Sequence, residues 1–278
     1  MMLLHNADEL ILDAPGYIYE EKYDGERACL HVDKDGDITI IARSGRNITH
    51  EFPELLKAEL PPCSVFDGEI FVPANSANRD KPTTAGRTNV KSPSMCVLLS
   101  QLKPAVFMCF DVLFFSGEKV EVKPYMERRS VLQTIPDQGV FVKVKQYENG
   151  HEVWERVLGE GGEGIVAKKR DSPYQNRRSY DWLKVKTWKE GDFKVVGYTS
   201  EKRDISALIL EGGYKVNFSV DGAEYNRLLP RLKAHPEDFV VKVKYFSKSE
   251  EGLRFPILRA ITEMSVMVAE NSPMEAIA

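Results

Sequence analysis

The segment Glu20-Glu21-Lys22-Tyr23-Asp24-Gly25-Glu26-Arg27 sets a lysine at the end of a predicted strand, followed by Asp-Gly and then Arg. A lysine amine is a nucleophile only when unprotonated, a state favoured by burial, nearby cations or a metal. Arg27 supplies one such charge and is able to grip phosphate oxygens. Taken alone, the segment also reads as a surface hairpin with an exposed lysine and a turn glycine. In Phe66-Asp67-Gly68-Glu69-Ile70 the period of two puts Asp67 and Glu69 on one face of a strand. Paired carboxylates repel unless a cation lies between them, and hard oxygen ligands suit Mg²⁺. An edge strand blunted by acids is the alternative. In Glu163-Gly164-Ile165-Val166-Ala167-Lys168-Lys169, a turn with Gly159, Gly161 and Gly162 delivers a glutamate to the mouth of a strand. In Trp182-Leu183-Lys184-Val185-Lys186 the two lysines share a face while Leu183 and Val185 point to the core. Adjacent ammonium groups call for an anion, and a triphosphate fits. From 164 to 190 eight basic residues stand against three acidic ones, which also suits a solvated basic face.

These segments must be positioned by strands. Residues 17–31 and 38–42 are β-prone and flank the turn Asp33-Lys34-Asp35-Gly36-Asp37, which predicts a hairpin. Strands are also expected at 64–72, 105–115, 139–146, 164–169 and 180–188, and helices at 49–60, 93–103, 124–134 and 149–159. Residues 73–104 interrupt the rhythm. From 76 to 104 five basic residues accompany one acid, as expected of a functional loop or a mobile one. Near Thr187-Trp188-Lys189-Glu190-Gly191-Asp192 the character changes. Short strands then follow at about 193–199, 206–211, 213–219 and 239–246, with a helix at 223–234. That pattern fits a small Greek-key barrel of the OB kind.

Composition excludes several classes. The chain has 278 residues, is 42% hydrophobic and carries a net charge of −4, so a folded globular protein is expected. No apolar run approaches the roughly 20 residues of a membrane helix. The acidic start Met1–Leu10 lacks the features of a secretory signal, so a soluble, cytoplasmic protein is expected. Cys29, Cys63, Cys96 and Cys109 have no metal-site spacing. No heptad pattern suggests assembly, so a monomer is expected.

The order of the segments says more than any one of them. A lysine nucleophile, a carboxylate pair, the aromatic-Asp strand around Cys109-Phe110-Asp111, a glutamate-glycine turn, a lysine pair and a small β-domain follow one another. This order resembles the covalent nucleotidyltransferase superfamily, and within it the ATP-dependent DNA ligases, from about residue 17 to 261. The resemblance implies an α+β fold. A nucleotidyltransferase (adenylation) domain with antiparallel sheets would span 1–188, and an OB-fold domain 189–278.

It also implies roles. Lys22 would take AMP from ATP as a covalent lysyl-AMP. Glu20, Glu21, Arg27, Arg43 and Glu69 would contact the nucleotide, Arg27 and Arg43 also the nick phosphate. Ala42 stands where the family usually has serine. Phe110 and Ile165 would pack on the two faces of adenine, and Lys184 and Lys186 would bind the α-phosphate. Glu69 and Glu163 would hold Mg²⁺ or Mn²⁺. Arg254, in Arg254-Phe255-Pro256, would orient the leaving pyrophosphate, with Arg259 a weaker match because the following acid is missing. The implied partner is nicked duplex DNA, gripped in part by residues 76–104 and the loop Glu201-Lys202-Arg203. The second domain would swing about residues 187–192 between steps. Competing readings are an RNA ligase, an mRNA-capping-type enzyme that would use GTP, and a non-catalytic OB-fold nucleic-acid-binding protein.

Overall fold

In the computed structural model, residues 1–73, 86–200, 205–249 and 252–264 are described. The core of the inserted stretch, residues 74–85, and the loop Glu201-Lys202-Arg203 therefore lie outside the described residues. The chain forms two compact units, Met1–Thr187 and Trp188–Ala278.

The first unit contains strands β1 (Leu3–Asn6), β2 (Tyr17–Glu21), β3 (Glu26–Val32), β4 (Ile38–Ala42) and β5 (Ser64–Phe71), then helix α1 (Pro93–Leu102). After these come β6 (Val106–Phe115), β7 (Glu118–Lys119), α2 (Tyr125–Gln133), β8 (Phe141–Lys143) and β9 (Gln146–Tyr147). Helix α3 (Gly150–Glu160), β10 (Gly164–Lys169) and β11 (Arg178–Lys186) complete it. One sheet has the order β1-β11-β10-β2-β9, the other β4-β3-β5-β6-β7 with β8 beside β6. Most pairs are antiparallel, and β1–β11 and β6–β8 are parallel.

Each sheet buries one face against its own helices. Tyr19, Ile165, Ala167 and Val185 pack with Val153, Trp154 and Val157 of α3. Leu30, Ile40, Phe66, Ile70, Phe107 and Phe141 form the core of the other sheet. A third cluster contains Met2, Ile18, Cys29, Leu113, Tyr125, Tyr174 and Trp182, drawn from both sheets. It joins the faces that carry the chemistry.

The helix expected at 49–60 is instead two short 3₁₀ segments, Thr49–Glu51 and Pro53–Lys57. Pro53 has no N–H to continue a helix and keeps the preceding residue out of the α region, and Phe52 accordingly sits at φ −130°, ψ 60°. The stretch expected as a strand at 139–146 splits into β8 and β9. The helix expected at 93–103 is α1, capped by Ser92, whose Oγ accepts from Met95 N–H.

The second unit contains β12 (Lys189–Thr199), β13 (Ala207–Leu210), β14 (Lys215–Asn217), α4 (Gly222–Ala234) and β15 (Phe239–Tyr245). It ends with β16 (Ser247–Ser249), β17 (Gly252–Arg254) and β18 (Ile257–Glu263). Its antiparallel sheet runs β14-β13-β12-β15-β18, and β16 and β17 form a hairpin. Phe193, Leu208, Leu210, Phe239, Val241 and Val243 pack with Leu228 and Leu232 of α4. Among the described residues, no helix is long and apolar enough to cross a membrane.

Candidate active site

Lys22 follows β2 directly, and its backbone N–H donates to the Gly164 carbonyl at 2.9 Å. Two close backbone approaches fix the turn around it. A Cβ at Gly25 would stand 2.1 Å from the Ile70 carbonyl oxygen, and one at Gly164, which has φ +146°, would stand 2.1 Å from that of Val185. Only glycine fits either place. The Gly25 N–H then donates to Glu69 Oε1 at 3.0 Å. The Asp-Gly after the lysine is thus a device that brings the Lys22 turn against β5.

The Lys22 ammonium is paired with Glu163 Oε2. Glu163 Oε1 holds Lys186 at 3.0 Å. Helix α3 ends in left-handed Gly161 at φ 69°, with Gly162 N–H closing on the Val157 carbonyl, and this stop delivers Glu163. Lys184 faces the same cluster. Burial lowers the pKa of its ammonium, and Lys186, Lys22 and Arg178 lower it further. The lysine pair therefore has one carboxylate and an excess of positive charge, which suits a bound polyanion.

Lys22 also borders a pocket lined by Leu4, Glu20, Arg27, Glu69, Phe110 and Val166, with Lys168 and Trp182 at its wall. Phe110 and Trp182 meet edge to face at 6.0 Å. Arg27 and Asp67 form a bidentate pair, with Nε–Oδ1 at 3.1 Å and Nη2–Oδ2 at 2.8 Å. Tyr174 adds a hydrogen bond to Asp67 Oδ2 at 2.6 Å. Asp67 is consequently committed to Arg27. The register of β5 against β6 shifts between Asp67 and Gly68 because β6 carries an extra residue there, Phe110, while the pairing of β5 with β3 runs unbroken across Asp67 and Glu69.

Glu69 is the carboxylate left for ligands. Burial pushes its pKa up to about 7, Glu163 adds to the rise, and Lys22, Arg27 and the Gly25 N–H oppose it. Among the described residues no three acidic, His or Cys side chains cluster into a complete metal cage. Two hard carboxylates near each other fit Mg²⁺, which is commonly bound by one or two carboxylates plus substrate phosphates. Raised above its unfolded value, the Glu69 pKa contributes stability at low pH that is lost as pH rises through about 7. Glu69→Gln is expected to raise stability at pH 8 by about 1–2 kcal/mol and to leave it unchanged near pH 4. Melting curves of both proteins at the two pH values check this.

Several expected site residues stand elsewhere. Ile165 is fully buried beneath α3, and its neighbour Val166 lines the pocket instead. One step along a strand reverses the face, and the α3 core claimed Ile165. The Glu21 carboxylate pairs with Arg156 of α3 at 2.5 Å. Arg43 is exposed in the turn after β4, with its N–H bonded to the Arg27 carbonyl at 2.9 Å. Ala42 is buried in the core of that sheet. Arg254 and Arg259 belong to the second unit. Arg254 lies against the rings of Phe246 and Phe255 at 5.3 and 5.2 Å, and Arg259 is exposed on β18.

Lys168 was hidden among the basic residues of its segment. Its side chain is 2% exposed, it pairs with Glu20 at 2.7 Å, and it sits over Phe110 and Trp182 at 4.4 and 4.3 Å. Glu20 also accepts from Tyr125 Oη. The available signal was a charge directly after the apolar run Ile165–Ala167, on the face of Val166 and diagonal to Glu20 across the β10–β2 ladder.

Comparison with known proteins identifies the family. The family model for the ATP dependent DNA ligase domain matches residues 2–186. The SPbeta prophage-derived DNA ligase-like protein LigB of Bacillus subtilis is 31% identical over 273 residues, covering 92% of this chain and 96% of LigB. The bifunctional non-homologous end joining protein LigD of the same organism is 30% identical over 218 residues, 70% of this chain and 35% of that protein. The chain thus spans about a third of LigD. Among solved structures, a Lig E DNA ligase superposes with a TM-score of 0.68 at 19% identity, covering 94% of this chain and 99% of that one. The ligase domain of M. tuberculosis LigD gives 0.59 at 22%, covering 95% and 96%. The chain belongs to the ATP-dependent DNA ligase family.

Proposed function

We propose that this protein seals nicks in duplex DNA by way of an AMP carried on Lys22. The observation that supports it best is the position of Lys22, held by Glu163 at the mouth of a pocket that offers an aromatic wall and a ridge of lysines. In the first step Lys22 Nζ attacks the α-phosphorus of ATP. An N–P bond forms, the bridging P–O bond breaks, and pyrophosphate leaves. In the second step a 5′-phosphate oxygen of the nick attacks the same phosphorus and frees Lys22. In the third the 3′-hydroxyl attacks the activated 5′-phosphate and AMP leaves.

Each transfer develops charge on non-bridging oxygens, so positioning and electrostatics supply most of the catalysis. Lys184 and Lys186 serve those oxygens. Phe110 and Val166 sandwich the adenine, while Arg27, fixed by Asp67, orients the sugar side. Glu163 must release Lys22, and the ammonium must give up its proton, before the amine can attack. Mg²⁺ held by Glu69 and Glu163 would offset phosphate charge when bound.

The second unit serves as an OB-type domain that brings Arg254 to the pyrophosphate. Among the described residues, its five-stranded antiparallel sheet, hairpin and helix α4 support the OB-type reading. The test is labelling of the full chain, first stripped with pyrophosphate, by α-phosphate-labelled ATP or GTP with Mg²⁺. A nick-sealing assay on DNA and RNA duplexes follows. Label from ATP alone, mapping to Lys22, with sealing of DNA is the expected result. Label from GTP alone, or none from either, would overturn the proposal.

A further inference from the structure

Arg27 lines the pocket beside Lys22, and most of its guanidinium is engaged within the protein. Nε and Nη2 meet Asp67, and Nη1 donates to the Met2 carbonyl at 2.6 Å. Its face lies 5.3 Å from the centre of the Phe110 ring and 5.9 Å from that of Trp182. A guanidinium carries five N–H groups in one plane. Among the described residues, Nη1 keeps one N–H that no protein group takes.

Tyr174 completes the arrangement. It is 6% exposed, and its hydroxyl is bonded on both sides: it donates to Asp67 Oδ2 at 2.6 Å and accepts from the Met2 N–H at 2.9 Å. Met2 thus bonds the phenol through its N–H and Arg27 through its carbonyl. Arg27, Asp67, Tyr174 and Met2 form a closed ring of hydrogen bonds. Three separate parts of the fold supply its members. The β3–β5 ladder pairs Arg27 with Glu69 and Cys29 with Asp67, so Arg27 and Asp67 are diagonal neighbours. The parallel pairing of Leu3 with Arg178 sets the place of Met2. The connection from β10 to β11 brings Tyr174, whose backbone N–H donates to the Glu121 carbonyl at 2.8 Å. The ring of Tyr174 packs edge to face on Trp182 at 5.7 Å, a contact that phenylalanine would make equally well. Packing therefore does not account for the hydroxyl.

We infer that Tyr174 is a positioning residue for the nucleotide: with the Met2 main chain it locks the Arg27–Asp67 pair, so that the remaining N–H of Arg27 is offered to an oxygen on the sugar side of ATP. This rests on the reading in which ATP delivers AMP to Lys22. A bidentate pair keeps the guanidinium in line with the carboxylate, but the last torsion of an aspartate is soft, and the pair can swing about it. The Tyr174 hydroxyl stops that swing at Asp67, and the Met2 carbonyl stops it at Arg27. Less freedom is then lost when the nucleotide binds.

The experiment follows labelling of the full chain by α-phosphate-labelled ATP over a range of ATP concentrations, after stripping with pyrophosphate. Wild type, Tyr174→Phe, Asp67→Asn, Arg27→Ala and the double variant Arg27→Ala/Tyr174→Phe are compared, with melting curves to show that each is folded in the assay. Tyr174→Phe is expected to raise the apparent KM for ATP about tenfold, as for one hydrogen bond to a charged group. Its maximal rate should stay within about twofold, because Arg27 holds the sugar side equally before and during transfer. Added to Arg27→Ala, the same change should cost less than about twofold, since no guanidinium remains to be aligned. Asp67→Asn tests the lock from its other member and should raise the apparent KM as well. A wild-type KM in Tyr174→Phe or in Asp67→Asn would overturn the lock. So would a full tenfold effect of Tyr174→Phe on top of Arg27→Ala, which would make the hydroxyl a structural element only. A wild-type chain that takes no label from ATP would instead overturn the lysyl-AMP reading, and the lock with it.

Discussion

Lys22→Ala takes up no label from α-phosphate-labelled ATP, a loss on the order of 10³ or more. The reason is chemical. The first step needs a nitrogen lone pair within reach of the α-phosphorus, and alanine offers none. Lys22→Arg retains a cation able to pair with Glu163, yet its guanidinium is a poor nucleophile, so the same loss is expected. The fold should survive both changes. The Lys22 side chain is 21% exposed, and Glu163 keeps Lys186 at 3.0 Å when Lys22 is gone. The three-step scheme adds a sharper expectation. In the last step the attacking group is the 3′-hydroxyl, so Lys22→Ala should still close a nick whose 5′ end already carries AMP. Sealing of such a substrate, beside complete failure on an ordinary nick with ATP, locates the defect in the first transfer. Label persisting on Lys22→Ala would mean that another group is the nucleophile.

What the sequence made legible and what it hid differ for a physical reason. Lys22, Glu69 and Glu163 could be placed from short-range signals. Each is tied to a glycine or a strand end, and the Gly25 and Gly164 approaches leave no other backbone path. The α+β character with antiparallel sheets was implied by the order of the segments, through its resemblance to the ATP-dependent DNA ligases. Ile165 was assigned to the wrong face because β10 is apolar on both sides. Alternation between core and solvent is then absent, and only the packing of α3 decides between Ile165 and Val166. Lys168 escaped because its partners Glu20, Tyr125, Phe110 and Trp182 come from four separate stretches of chain. No local pattern reports a contact made across two sheets. The same holds for Asp67, whose commitment to Arg27 depends on the pairing of β3 with β5.

Arg128→Met is expected to be the most destabilising single change in the first unit, costing about 3–5 kcal/mol. Arg128 and Asp111 are both fully buried, joined by Nε–Oδ1 at 2.9 Å and Nη2–Oδ2 at 2.8 Å. Arg128 Nη1 also donates to the carbonyls of Lys123 and Ser172, at 2.6 and 2.9 Å. Methionine fills much of the volume but leaves a buried carboxylate and two carbonyl groups without their donor. Burial already raises the pKa of Asp111, and Arg128 is the main force holding it down. Without Arg128 the carboxyl takes up a proton or the surrounding packing opens. For a unit of this size the cost corresponds to a fall in melting temperature of about 10 °C or more. Adding Asp111→Leu to Arg128→Met should recover a good part of the loss, since replacing both members of a buried ion pair by apolar groups removes the stranded charge. Function should not return with stability. Asp111 follows Phe110 directly, and Tyr125 on the first turn of α2 bonds Glu20 in the pocket wall. The pair therefore fixes the spacing between the aromatic that faces adenine and the acid behind it. The double variant should regain much of its melting temperature while its apparent KM for ATP in the labelling reaction stays raised. Full recovery of both would reduce Arg128 to a packing element, whereas the split expected here makes it a positioning residue for the nucleotide pocket.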